Sequence, residues 1–270
     1  MNMMRFTTMK TKLRKYPSIF LILLLAISSC FLTGCVNQHP KDSKKISQGE
    51  SVETMLEITD PKEKQAVLNA KAKVKALSGN PRIVATSPAV ADICDKLDLD
   101  LVGVPKSSVS KIPSRYKKVK KVGLAMSPDM EIVSSLNPDW ILAPSSLETD
   151  LKPKFEELKN TEYAFLNLRS VQGMYRSVQE LGEIFGKQQE AEKMTKEFTT
   201  FYKSYTKRNK NKKHPKVLVL MGLPGSYVIA TENSYVGSLV KLAGGENVYQ
   251  NTDQEFLTVN TEDMKKKEPD

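Results

Sequence analysis

The side chains in this chain that could take part in chemistry are few, and most are soft or acidic rather than nucleophilic. Met126 stands between Ala125 and Ser127-Pro128. Its thioether is a soft ligand that suits haem iron when a histidine supplies the other axial position. The same residue also reads as a methionine filling a gap at the edge of a packed unit. Glu131 and Glu262 each precede a Pro-Asp pair by the same interval, Pro138-Asp139 after the first and Pro269-Asp270 after the second. Each also reads as a first-turn carboxylate favoured by a helix dipole. Of the two histidines, His39 lies in a polar stretch and His214 in a lysine-rich turn. Neither is placed to activate a nucleophile or to complete a zinc site. Gly222-Leu-Pro-Gly225-Ser226 follows a strand as a phosphate loop would, but it lacks the necessary lysine and reads as a turn. No catalytic constellation emerges, which points to a binding protein rather than an enzyme.

The N-terminus adds one more reactive side chain, Cys35. Lys10, Lys12, Arg14 and Lys15 form a positive region, and the apolar run from Ile19 to Ile27 follows it. That run is too short to cross a hydrocarbon core of about 30 Å as a permanent helix, so it reads as a cleaved secretory leader. Leu32-Thr33-Gly34-Cys35 resembles a lipobox, in which the cysteine thiol takes a diacylglycerol and becomes the first residue after cleavage. The competing reading is an ordinary signal peptide with an incidental cysteine. Loss of the leader removes Cys30, and lipidation occupies Cys35. Cys94 is then left without a partner, which excludes a disulfide framework; it reads as a small buried side chain.

The formal net charge of +10 falls to +5 once the five basic residues Arg5, Lys10, Lys12, Arg14 and Lys15 leave with the leader. The remaining basic runs, at 117–121, 207–213 and 265–267, lack interleaved aromatics and read as solvated faces. Nucleic-acid binding is therefore not expected. Weak attraction to an anionic membrane or cell-wall polymer fits better.

The elements that must position these residues follow the tether. Residues 35–59 are polar and aperiodic, as befits a spacer. A short helix and linker over 60–79 begins at Asp60-Pro61-Lys62-Glu63, with Val67, Ala70, Val74 and Leu77 at helical spacing and Gly79 as its stop. An α/β lobe is expected over 80–168. Its strands are 82–86, 101–104, 140–143 and 163–166, with a brief strand or loop at Val122-Gly123, and its helices are 88–97, 128–136 and 151–159. Ser127 is the expected cap of the second of these helices, with Pro128 in its first turn. Residues 169–212 form a helical region, broken by Gly182 and Gly186 and then continuous through Ala191, Met194, Phe198, Phe201, Tyr202 and Tyr205. That long helix reads as a strut between lobes, or as an ordinary core helix. A second α/β lobe over 213–270 opens with a strand at 216–220.

The second lobe repeats the first. The Glu-to-Pro-Asp interval recurs, and the 93–97 helix end before strand 101–104 is echoed by 239–242 before 246–249. Together these argue for an internal duplication. By its logic a strand should begin directly after Asp270, so the second lobe is expected to be incomplete in this chain. Ligands of open α/β sheets collect at the carboxyl ends of strands, beside helix N-termini. Three segments of the first lobe qualify: Ser87-Pro88-Ala89, Lys106-Ser107-Ser108 and Ala125 to Pro128.

With these segments in view, the chain resembles the class III substrate-binding proteins, the rigid-helix type that serves importers of iron chelates, haem and cobalamin. Within that class it resembles the haem-binding lipoproteins of iron-regulated surface determinant systems. The likeness runs from about Arg82 to Val248. It is most specific at Asp95-Lys-Leu-Asp-Leu99, Ile112-Pro-Ser-Arg-Tyr116, the stretch Lys212 to Tyr227, and Ala243 to Val248. The resemblance implies two Rossmann-like lobes joined by one long helix, with little hinge closure. It implies b-type haem as transported ligand, Met126 as one axial ligand, and a histidine beyond residue 270 as the other. Porphyrin contacts fall on Pro88, Ala89, Ser107 and Ser108, although the loop carrying the serines has one extra residue here and lacks the family's tyrosine. Glu131 and Glu262 match the pair that docks onto permease arginines. The implied setting is a monomer held by its lipid on the outer face of the cytoplasmic membrane. There it would take haem from cell-wall donor proteins and pass it to an ABC permease and its ATPase. A ferric siderophore or cobalamin receptor is the alternative within the class, and a cell-wall-associated enzyme the alternative outside it.

Overall fold

The computed structural model describes residues 56–270. The leader, Cys30, Cys35, His39 and most of the expected tether lie outside the described residues. The last tether residues do not behave as spacer throughout, because Leu56 is helical and 1 % exposed.

Helix α1 (Pro61–Lys75) starts as the sequence predicts, with the Asp60 carboxylate accepting from Lys62 N at 2.7 Å. The first lobe then runs β1 (Ile83–Ala85), α2 (Pro88–Lys96), β2 (Leu101–Val104), β3 (Lys120–Lys121), a hairpin of β4 (Gly123–Leu124) and β5 (Ser127–Pro128), and α3 (Met130–Ser135). It closes with β6 (Trp140–Pro144), α4 (Glu148–Glu156) and β7 (Glu162–Leu166). Five strands form one parallel sheet in the order β3-β2-β1-β6-β7.

Both faces of that sheet are covered, which is why its central strands are continuous apolar runs. Alternate residues serve opposite faces. Ile83, Ala85, Trp140, Leu142, Ala164 and Leu166 join the core under α1, α2 and the next helix, α5 (Val171–Phe185). Val84, Ile141, Ala143, Tyr163 and Phe165 join a second core against α3 and α4. Trp140 is 2 % exposed and meets Phe185 edge to face at 5.6 Å.

Two glycines expected to break the helical region do different work. Gly182 lies inside α5, where an added Cβ would come within 2.6 Å of the Ala191 Cβ. It lets α5 and α6 (Gln188–Asn209) approach closely and does not interrupt the helix. Gly186, at φ 71°, is the left-handed cap that ends α5. Helix α6 is a single run of 22 residues, about 33 Å long at 1.5 Å per residue.

The second lobe contains β8 (Lys216–Val217), β9 (Leu220–Leu223), β10 (Ser226–Ala230), α7 (Tyr235–Leu242), β11 (Glu246–Asn247), β12 (Phe256–Thr258) and α8 (Thr261–Lys266). The single strand expected at 216–220 is divided. β8 pairs in parallel with β11, whereas β9 turns back through Pro224-Gly225 into β10, with Gly225 at φ 77°. The glycine-rich stretch is thus a hairpin turn, as its lack of a lysine implies.

The duplication is visible in backbone detail. Arg82 N donates to Asp139 Oδ2 at 2.7 Å while Asp139 N donates to Arg82 O; Lys216 N and Asp270 repeat both bonds. The residue two before each aspartate, Asn137 or Glu268, takes the left-handed conformation.

Candidate functional site

The carboxyl edge of the five-stranded sheet collects all the ligand-facing segments inferred from sequence. Ser87 directly follows Thr86 at the end of β1, and its hydroxyl accepts from Val90 N at 3.3 Å, capping α2. This puts Pro88, half-buried, and Ala89, exposed, at the helix mouth. After β2, Ser107 Oγ accepts from Val109 N and Ser110 N, so the serine shapes its own loop. Ser108 is exposed on that loop, and Val109 is 95 % exposed.

The third segment is a two-residue turn. β4 and β5 pair antiparallel, Leu124 opposite Ser127, which leaves Ala125 and Met126 at the tip. Met126 is 72 % exposed and Leu124 57 %. The hairpin is fastened to the sheet rather than free. Lys106 N donates to Gly123 O at 2.6 Å, Val122 N to Val104 O at 2.9 Å, and Asp129 N to Val122 O at 2.7 Å. Gly123 has φ 97°, and a Cβ there would stand 2.9 Å from Asp129 N, so glycine alone fits.

This hairpin corrects one expectation. Ser127 does not cap α3 and Pro128 is not in its first turn; both lie in β5. The cap is Asp129, whose Oδ1 accepts from Ile132 N at 3.1 Å. An aspartate standing immediately before the helix outcompetes a serine two residues earlier, and the pairing with β4 claims Ser127 and Pro128.

Chemically, the edge offers a solvent-facing thioether with apolar side chains on the same rim, Leu124 on the hairpin and Val109 on the neighbouring loop. Isolated exposed apolar residues are common, but three on adjoining loops of one edge suit a flat apolar ligand carrying a soft metal centre. Residues 101–128 include Lys106, Lys111, Arg115, Lys117, Lys118, Lys120 and Lys121 and no acid. Arg115 is neutralised by Asp98 and Asp100 at 2.7 and 2.8 Å. Asp98 is held below the usual carboxylate range by its bonds to Lys187 and Arg115. Lys106, just after β2, and Lys121, at the end of β3, lie toward this edge, whereas Arg115, Lys117 and Lys118 precede β3 and lie toward the opposite one. The two lysines favour a ligand with carboxylates.

Sequence reasoning missed Val109 and Leu124, because neither belongs to a periodic pattern. It also missed the role of its most specific motif pair. Asp95-Lys-Leu-Asp-Leu99 and Ile112-Pro-Ser-Arg-Tyr116 meet through Arg115 and through Tyr116 Oη, which donates to Leu99 O at 2.5 Å. They lock the loop that follows β2.

Glu131 and Glu262 are both exposed, each the second residue of a six-residue helix capped by Asp129 or Asn260. Cys94 is fully buried, and burial pushes its thiol up to about 12, so it is inert packing. His214 Nδ1 lies 2.7 Å from Gly244 O and fastens a turn.

Residues 83–270 match the family described as periplasmic binding protein, and the chain belongs to that family. It is a binding protein rather than an enzyme, with the two-lobed fold expected of class III. Among its relatives is the high-affinity heme uptake system protein IsdE of Staphylococcus aureus (strain Newman). That protein is 41 % identical over 194 residues, which is 72 % of this chain and 66 % of the relative. The chain thus spans just under two thirds of that relative's length. The crystal structure of S. aureus IsdE complexed with heme has a TM-score of 0.65 and 40 % identity, covering 71 % of this chain and 74 % of that one. An ABC transporter substrate-binding protein from Listeria monocytogenes EGD-e has a TM-score of 0.65 and 45 % identity, covering 71 % and 73 %.

Proposed function

We propose that this chain binds haem between its two lobes, with Met126 as an axial ligand to the iron, and delivers it to an ABC permease for haem-iron uptake. The observation that carries the reading is the Met126 thioether. It is held out at the tip of a hairpin that two backbone hydrogen bonds fasten to β2 and the loop after it and a third closes at its base, in a chain related to a heme uptake system protein. A methionine kept for packing would be buried; this one is presented to solvent on the ligand-facing edge. Pro88, Ala89, Ser107 and Ser108 form the surrounding rim, and the positive charge beside them suits the haem propionates. Cys35 carries the lipid that holds the protein at the outer face of the cytoplasmic membrane. Glu131 and Glu262, matched in place on the two lobes, register the permease and steer it more than they set affinity. Cell-wall proteins are the donors.

Haemin titration followed by visible absorbance tests this, with imidazole added as a nitrogen donor for the second axial position. We expect a saturable, shifted Soret band whose shape changes in Met126→Ala. A saturable band indifferent to that substitution removes Met126 from the iron. Absence of any saturable band overturns the haem reading in favour of a ferric siderophore or cobalamin.

A further inference from the structure

The two lobes are bridged by a charged pair that the sequence does not announce. Arg169 lies three residues beyond the end of β7, on the carboxyl edge that carries the hairpin, and its guanidinium Nε forms an ion pair with Glu255 Oε1 of the second lobe. Both side chains are mostly covered, at 32 % and 21 % exposed. A pair of this kind is screened less than one in open water.

Each partner is held from behind by its own lobe. On the first side, Arg169 N donates to Asn167 Oδ1, and Asn167 N donates to Ser177 Oγ of α5 at 2.9 Å. The Asn167 side chain fills the space over Gly173, where an added Cβ would come within 2.6 Å of it. On the second side, Glu255 O accepts from Thr231 N at 3.0 Å, and Thr231 is fully buried. Two further contacts cross at the same junction. Val171 N donates to Ser238 Oγ at 3.2 Å, and Val171 packs with Leu242 beside Tyr175, Phe198 and Tyr202. Those contacts join α5 to α7, whereas the ion pair joins the segment after β7 to the residue just before β12.

We propose that Arg169 and Glu255 form an electrostatic clasp that fixes the separation of the two lobes and so sets how long a ligand stays between them. Opening the cleft requires breaking the clasp and returning both charges to water. Closing it restores a geometry that both backbones already hold. Arg169 and Glu255 are thus positioning residues, and the effect of the clasp falls on dissociation more than on encounter. A second expectation follows from its chemistry. Because part of each side chain reaches solvent, salt weakens the clasp.

The test uses the chain with Cys30 and Cys35 replaced by serine and spin labels at Lys118→Cys and Lys241→Cys, one exposed site on each lobe. Pulsed dipolar spectroscopy then gives the interlobe distance without any ligand. Arg169→Glu and Glu255→Arg should each broaden and lengthen the distance distribution, and the double reversal should restore it. High salt should broaden the wild-type distribution toward that of the single variants. Haemin dissociation, which alone rests on the haem reading, should quicken about threefold in the single variants, as expected for a partly exposed pair worth up to ~1 kcal/mol. Distances that are unchanged in the single variants, or not restored by the double reversal, overturn the clasp. Restored distances with no haemin binding leave the clasp standing and discard the haem reading.

Discussion

In the first lobe, Arg82 and Asp139 exchange two hydrogen bonds that start β1 beside β6; in the second, Lys216 and Asp270 exchange the same two at the start of β8. The fastenings match, and what surrounds them does not. β1 lies between β2 and β6 and is wholly buried. β8 has one strand neighbour among the described residues, and the chain beyond it passes into β9, all four of whose residues are exposed. The comparison separates two things a repeated sequence can encode. Local polar contacts are kept wherever the local sequence is kept. Burial depends on distant segments, so the same clamp can stand over a dense core or a thin one.

The largest effect should come from deleting apolar volume at equivalent places. Ile83 and Val217 each follow the clamp residue, but Ile83 is 1 % exposed and Val217 only half-buried. Ile83→Ala should cost about 2–5 kcal/mol and Val217→Ala about 1 kcal/mol or less. The only tryptophan, Trp140, belongs to the first lobe, so its fluorescence during urea unfolding reports that lobe. Equal shifts of the Trp140 transition in both variants would mean that the lobes unfold as one unit, and the contrast would fail.

The next effect belongs to the first lobe alone. Glu180 of α5 is 1 % exposed beside Glu63 of α1, which is 7 % exposed. Burial, together with a hydrogen bond and repulsion from Glu63, pushes the Glu180 carboxyl up to about 10, against a smaller opposing pull from Arg176. The folded state therefore holds this proton more tightly than the unfolded chain does. The stability it contributes is complete below the ordinary carboxylate range and is lost progressively as pH rises toward about 10. Glu180→Gln keeps the hydrogen bond and removes the titration. It should raise stability at pH 8 by about 1 kcal/mol or more and flatten the decline between pH 5 and 9. Urea titrations of the Trp140 signal across that range would show it. A slope unchanged in the variant would assign the pH dependence to other groups.

Much of the first lobe was legible because its strands are continuous apolar runs and its helices open at caps. Ser87 capping α2, Asp60 capping α1 and the run Leu101–Val104 are features of adjacent residues. Legibility failed where two local signals competed. Ser127-Pro128 carries a helix-start signal, yet pairing with β4 and the better cap at Asp129 overrode it. Lys216 to Leu220 reads as one strand, but a partner change at its middle splits it. Gly182 reads as a breaker until Ala191 of the next helix comes into view. At the site, the flanks of Met126 read as a helix start and hid the hairpin tip that carries it, and Val109 and Leu124 depend on which loops the fold brings to one edge. Arg169 and Glu255 were not readable at all, since only tertiary structure brings residues 86 apart in sequence into contact.

The smallest effect tests the fastenings themselves. If the clamp is a local device, Asp139→Ala and Asp270→Ala should remove the same bond from a backbone N–H at the same distance of 2.7 Å. The costs should still differ slightly. The Arg82 and Asp139 backbones also bond to each other within a sheet that continues on both sides, so Asp139→Ala should cost about 1 kcal/mol. Lys216 N sits in a more open strand, where water can replace the lost acceptor, and Asp270→Ala should cost no more than about 0.5 kcal/mol. Amide exchange of Arg82 and Lys216 reads each clamp directly. Protection lost at Arg82 but little changed at Lys216 would show that the surrounding sheet, and not the aspartate alone, decides what the repeated contact is worth. Equal losses would make the clamp an autonomous unit and narrow the difference between the lobes to their cores.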